Sequence, residues 1–69
     1  MRGLTEIVAD NFTVYRRSRG MSRAQMAELL GVHRSYVWAL EKAERNLTLT
    51  SLQRYAQRMG VDVFDLLTD

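Results

Sequence analysis

Cysteine and proline are both missing from this 69-residue chain, and histidine occurs once. Without cysteine there is no disulfide and no thiolate metal site, which fits the reducing cytoplasm expected as its location. A lone histidine, with no pair of acids placed in a plausible cleft, excludes the usual nucleophile, base and orienting group. Ser35 lies too close in sequence to His33 to supply that set, so no catalytic residue, metal or cofactor is expected. No apolar run approaches the roughly 20 residues that span a bilayer, and the N-terminus has no signal-peptide core, so no membrane partner is expected. The missing proline leaves every helical pattern uninterrupted.

What is present fits one small domain over residues 1–69, near the lower limit for a self-sufficient core. Apolar residues make up 46% of the chain and charged residues 26%, a globular and not a disordered balance. The net charge of +2 is too small to carry an argument, but its distribution is uneven. Residues 1–45 hold eight basic side chains against five acidic ones, whereas residues 46–69 hold two against three. Between Arg16 and Arg34 five arginines face the single Glu28. A second domain that could house a ligand pocket is not foreseen, so no small-molecule ligand is expected.

The spacing predicts five helices and no strands. Met1 to Leu4 read as a loose arm, and the first helix covers about Thr5 to Arg19, with Thr5 as its cap and Glu6 in the favourable first turn. Leu4, Ile7, Val8, Phe12 and Tyr15 recur at helical spacing on one face. Gly20 ends this helix, and Ser22-Arg23-Ala24-Gln25 forms a capping box that opens a second, about Arg23 to Leu30. Gly31-Val32-His33 makes a turn into a third helix, about Arg34 to Lys42, with His33 in the cap position, where histidine is a poor choice. Ala43 to Leu47 follow as a loop. Thr48 or Thr50 caps a fourth helix with Leu49, Leu52, Tyr55, Ala56 and Met59 inward, Gly60 ends it, and Asp62 caps a last short helix, Val63 to Leu67.

Helices two and three carry the chain's clearest pattern. Ala27 is small where a second helix must approach, Gly31 follows four residues later, Val37 six after that and Leu40 three further on. Met26, Leu30, Val32, Val37 and Leu40 all fall on one inner side of the pair. A helix-turn-helix needs this arrangement. On helix three, Ser35, Trp38, Ala39 and Lys42 then point outward, flanked by Arg34 and Tyr36. Trp38 could lie on a nucleic-acid backbone, stack within a dimer, or turn inward over the core.

With Arg16, Gly20-Met21-Ser22, Met26-Ala27, Leu30-Gly31-Val32, Val37, Leu40-Glu41, Asn46 and Leu49, the chain resembles the Cro/repressor (XRE-type) helix-turn-helix family over nearly its full length. The resemblance implies an all-α, five-helix lambda-repressor-like DNA-binding domain with the motif at helices two and three. Two positions depart from the pattern: Leu47 stands where proline is common, and Trp38 where a small or polar residue is usual. His33-Arg34-Ser35-Tyr36-Val37 with Glu44-Arg45-Asn46-Leu47-Thr48-Leu49 is similar, more narrowly, to the controller proteins of restriction–modification systems, small homodimeric regulators of palindromic operators. Phage-type repressors share the rest of the pattern. An antitoxin, or a protein-interaction module re-using the fold, is the alternative, although it has no need of Arg34 and Arg45.

The family's base-reading positions fall here on His33, Arg34, Ser35, Tyr36 and Ala39. Arg34 suits guanine O6 and N7 with its planar fork, and Ser35 can donate or accept. Tyr36 can bond a phosphate, touch a thymine methyl, or merely shield the core. Phosphate contacts are expected from Arg23 and Gln25 at the start of helix two, from Trp38, and from Arg45 and Asn46. The resemblance also implies a partly buried ion pair between Arg16 and Glu41. Val61, Val63, Phe64, Leu66 and Leu67 crowd the last helix beyond what so short an element can bury. Val61, Val63, Phe64 and Leu67 are therefore expected to form a homodimer interface, the alternative being Phe64 folded back over Tyr55 and Met59.

Overall fold

In the computed structural model, which describes residues 2–69, five helices enclose one core. They are α1 (Leu4–Ser18), α2 (Arg23–Leu30), α3 (Arg34–Glu41), α4 (Leu49–Met59) and α5 (Val63–Leu67), with no strand among the described residues. The core is a single cluster that draws on every helix. Phe12, Met26 and Val37 are fully buried at its centre, ringed by Val8, Ala27, Leu30, Leu52, Tyr55, Ala56, Met59 and Leu66. Phe12 meets Tyr55 edge-on at 6.2 Å, an arrangement favoured by the ring quadrupoles. α2 packs closely on α3, α1 on α3 and α5, and α4 on α2 and α5.

The α2–α3 turn forms as its residues dictate. Gly31 takes φ of 75°, which closes α2 and lets the Val32 amide bond back to Ala27 O at 2.9 Å. Ala27 is buried beneath this turn. Ser22 Oγ accepts from the Gln25 amide at 3.0 Å while Gln25 Oε1 accepts from the Ser22 amide at 2.8 Å, completing the capping box. The α3–α4 connection uses the same reversal without a glycine. Ala43 sits at φ of 59°, and Glu44 N donates to Ala39 O at 2.9 Å. A left-handed alanine costs about 1–2 kcal/mol. Ala43→Gly is therefore expected to be neutral or to stabilise the fold by up to about 1 kcal/mol in urea unfolding, the relief being partly offset by glycine's greater freedom when unfolded.

Several boundaries differ from those expected. α1 begins at Leu4 with Gly3 as its cap residue, so Thr5 lies inside the helix and does not cap it. Of the arm expected to be loose, Met1 lies outside the described residues, but Arg2 is fastened by ion pairs to Asp10 and to Asp69. α1 ends at Ser18 and α3 at Glu41, one residue earlier than predicted in each case. Leu4 and Leu49 are the larger corrections, because both were expected inside. Leu49 is 75% exposed in the first turn of α4, which Thr48 caps. Leu4, likewise in the first turn of its helix, is also exposed.

Two further tethers hold the C-terminal segment. Asn11 Nδ2 donates to Leu66 O at 2.9 Å and to Thr68 O at 3.0 Å, so the short α5 is clipped to α1. Tyr15 Oη donates to Met59 O at 2.8 Å, fixing the end of α4 to the same helix.

Candidate nucleic-acid interface

α3 presents an exposed ridge of Arg34, Ser35 and Trp38, with His33 at its tip and Lys42 just beyond its end. Its other side, Val37 and Leu40, is fixed in the core, which sets the rotation of the helix. His33 proves a working cap: its Nδ1 accepts from the Ser35 amide at 3.1 Å. Trp38 does not turn inward. It is 45% exposed, and the Lys42 ammonium lies 4.5 Å from its ring centroid. The alkyl stem and charge of Lys42 therefore share this ridge with a flat apolar surface.

Tyr36 occupies the flank. Its ring is half-buried against Tyr55, with centroids 6.4 Å apart, and the Arg45 guanidinium stands 5.5 Å above it. Burial pushes the Tyr36 phenol up, helped by Tyr55 and opposed by Arg45 and Arg54, so it stays a neutral hydroxyl. Arg45 and Asn46 are exposed in the loop after α3. At the other flank α2 opens with Arg23 and Gln25, both exposed. The amides of Arg23 and Ala24 there have no intrahelical partner, as at any helix start, which gives this end its positive character. Gln25 has its Oε1 engaged in the capping box, which leaves its amide NH2 outside the box.

A buried ion cluster fixes the platform. Arg16 Nε donates to Glu41 Oε2 at 2.6 Å and Arg16 Nη2 to Glu41 Oε1 at 3.1 Å, a two-pronged contact between α1 and α3. Arg16 Nη1 also donates to Met21 O at 3.0 Å and so holds the α1–α2 turn. Arg23 Nε joins from α2, donating to Glu41 Oε1 at 3.0 Å. The side chain of Glu41 is only 4% exposed and that of Arg16 11%. Burial alone would push the Glu41 carboxyl up, but the hydrogen bonds from Arg16 and Arg23 outweigh it and hold the group below its usual value. Those bonds also raise Arg16, against its own desolvation. One carboxylate thus ties three helices at the base of the motif.

Ala39 departs from expectation. Only 9% exposed, it does not offer its methyl outward. The C-terminal residues divide. Val61, Val63 and Leu67 are half-buried against the core, while Phe64 stands 74% exposed and does not fold back over Tyr55 and Met59.

A helix-turn-helix family model matches residues 14–66. The chain belongs to this XRE-type helix-turn-helix family. It is 40% identical over 65 residues to the control protein C.SmaI of Serratia marcescens, covering 94% of this chain and 77% of that one. The crystal structure of the hypothetical transcription factor NHTF from Neisseria superposes with a TM-score of 0.87 at 30% identity, covering 96% of this chain and 76% of that one. The restriction–modification controller protein C.AhdI from Aeromonas hydrophila superposes with a TM-score of 0.79 at 26% identity, covering 90% and 94%.

Two features of the motif are not legible in the sequence. Arg23 serves the ion cluster as well as the outer face, a role that depends on the crossing of α2 over α3 and leaves no mark in spacing. The left-handed Ala43 that throws Arg45 and Asn46 forward is invisible for a different reason. Glycine, the residue that signals such a turn, is not there.

Proposed function

We propose that this chain is a sequence-specific transcriptional regulator that binds a two-fold symmetric operator as a homodimer, with α3 of each protomer in a major groove. Of the family's functions, restriction–modification control fits best, given the relatedness to C.SmaI and the likeness to C.AhdI. The observation that carries the reading is the exposed, core-anchored ridge of α3, flanked at both ends by groups suited to phosphates. A helix about 10–12 Å across fits the major groove, where each base pair shows a distinct donor and acceptor pattern. Arg34 is the principal base reader, Ser35 and His33 stand beside it, and Ala39 has no part. Arg45, Asn46, Lys42 and the opening amides of α2 hold phosphates, which position the protein without reading sequence. Tyr36 serves chiefly as a prop beneath Arg45.

Two substitutions separate these roles. In a selection from randomised duplexes, Arg34→Ala is expected to lose at least about 1 kcal/mol of discrimination at one base position. Arg45→Ala is expected to weaken specific and non-specific duplexes alike and to lower the salt slope of log K by about one. If Arg34→Ala selects the same sequences as the parent, α3 is not the reader. Binding to no duplex above background, together with capture of a protein partner, would favour the interaction-module alternative.

A further inference from the structure

His33 does more than close the start of α3. Its Nδ1 accepts the Ser35 amide at 3.1 Å and also lies 2.8 Å from Ser35 Oγ. An amide nitrogen can only donate, so Nδ1 carries no proton and the ring hydrogen resides on Nε2. Against an unprotonated Nδ1, a hydroxyl at hydrogen-bond distance must donate. The single hydrogen of Ser35 is therefore directed at His33, and Oγ is left with lone pairs alone for any other partner. Both residues are exposed at the tip of α3, where a duplex would meet them.

We infer that His33 sets the hydrogen-bond polarity of Ser35, turning a hydroxyl able to read either way into an acceptor that selects an exocyclic base amino group. The inference rests on the proposal that α3 reads the major groove. There the groups that match an acceptor are N6 of adenine and N4 of cytosine, whereas thymine O4 and guanine O6 would meet lone pairs with lone pairs. His33 is a positioning residue in this scheme, because it acts through Ser35. The same arrangement leaves Nε2–H as a fixed donor beside that acceptor. A serine, threonine or asparagine cap would also stabilise α3, but none presents such a ring donor.

The test uses the intact chain and its His33→Gly, His33→Asn, Ser35→Ala and Arg34→Ala variants, each selected on a library of randomised duplexes. Glycine is well tolerated at a helix cap, so His33→Gly keeps the fold while removing the acceptor; asparagine keeps both. Folding of each variant is verified by circular dichroism. Binding is then measured on the selected duplex after the adenine or cytosine at the Ser35-dependent position is replaced by an analogue lacking the amino group. Separate duplexes with each analogue tell the two bases apart. Loss of the amino group is expected to weaken the parent and His33→Asn by about three- to tenfold and Ser35→Ala by less than about twofold. In His33→Gly the freed hydroxyl can also donate, so that variant is expected to admit thymine or guanine at this position within about twofold of the parental base. Exclusion of thymine and guanine by His33→Gly as strict as the parent's overturns the proposal, as does a parental preference for thymine or guanine at that position, or a selection that Ser35→Ala leaves unchanged. In each of those cases an altered selection by Arg34→Ala shows that α3 still reads DNA. If no variant, Arg34→Ala included, alters the selected sequence, the reading of α3 itself fails.

Discussion

Glu41→Gln is expected to lower the melting temperature by more than about 10 °C, the largest effect of any single side chain outside the apolar core. Among the described residues Glu41 is the one acid paired with Arg16 and Arg23, and its side chain is almost fully enclosed. Removing its charge leaves the guanidinium of Arg16 in a nearly dry site with neutral acceptors alone, one of them Met21 O. Breaking a buried pair from one side costs about 3–5 kcal/mol. A domain of this size holds roughly 3–10 kcal/mol in total, and each kcal/mol moves its midpoint by about 4–8 °C. Arg16→Met is expected to act in the same direction, because it also strips Met21 O of its donor. Arg23→Ala should cost about 1 kcal/mol or less, since its side chain is 44% exposed and water screens its charge. A double-mutant cycle on Arg16 and Glu41 measures the coupling directly, and a value indistinguishable from zero would show that the pair contributes nothing to folding.

The same cluster sets an acid limit. The folded-state carboxyl of Glu41 is held below its ordinary value of 4.5. Above that value the group is charged in both states, and the folded state keeps the whole advantage of the ion pair. As pH falls through the lower folded value, both states become protonated and the advantage disappears. The parent's melting temperature should therefore drop more steeply than that of Glu41→Gln between about pH 5 and about pH 3, and the two curves should converge at the acid end. Parallel curves would assign the acid sensitivity to other carboxylates.

If the proposed homodimer forms through the C-terminal helix, Phe64→Glu is expected to convert it into a monomer and to reduce binding of the proposed operator to the non-specific range, with dissociation constants of roughly 10⁻⁴ to 10⁻⁶ M at physiological salt. One copy of α3 covers only a few base pairs, and two copies bound to successive major grooves must stand about 34 Å apart. Phe64 and Leu49, each about three-quarters exposed, are the most prominent apolar side chains among the described residues. Leu4, Leu47, Leu49 and Leu67 line a single cleft between α1, α4 and α5, so the exposed apolar surface extends beyond the last helix. Covering such groups favours association by about 25 cal/mol for each Å² removed from water, and a charge placed among them opposes it. Sedimentation of parent and variant, without DNA, measures the outcome. A parent that remains monomeric at high micromolar concentration would exclude this interface, and Leu49→Glu provides an independent probe of its extent.

Local chemistry made much of this molecule legible before folding was considered. Gly31, the capping box at Ser22 and the inward spacing of Met26, Leu30, Val37 and Leu40 each act within a turn or two of helix, so sequence alone determines the helix-turn-helix and the rotation of α3. The first turns of α1 and α4 are less legible. Helical spacing assigns Leu4 and Leu49 a face without saying whether another helix arrives to cover it. Burial of Ala39 has the same origin, for spacing along α3 does not say what covers a side chain. Whether His33 could cap at all turned on a ring nitrogen reaching the Ser35 amide, a matter of rotamer and not of residue type. Arg23 shows the division most plainly. Its position at the opening of α2 is written in the sequence, but its bond to Glu41 exists only because three helices converge on one carboxylate, and such long-range meetings are fixed by packing.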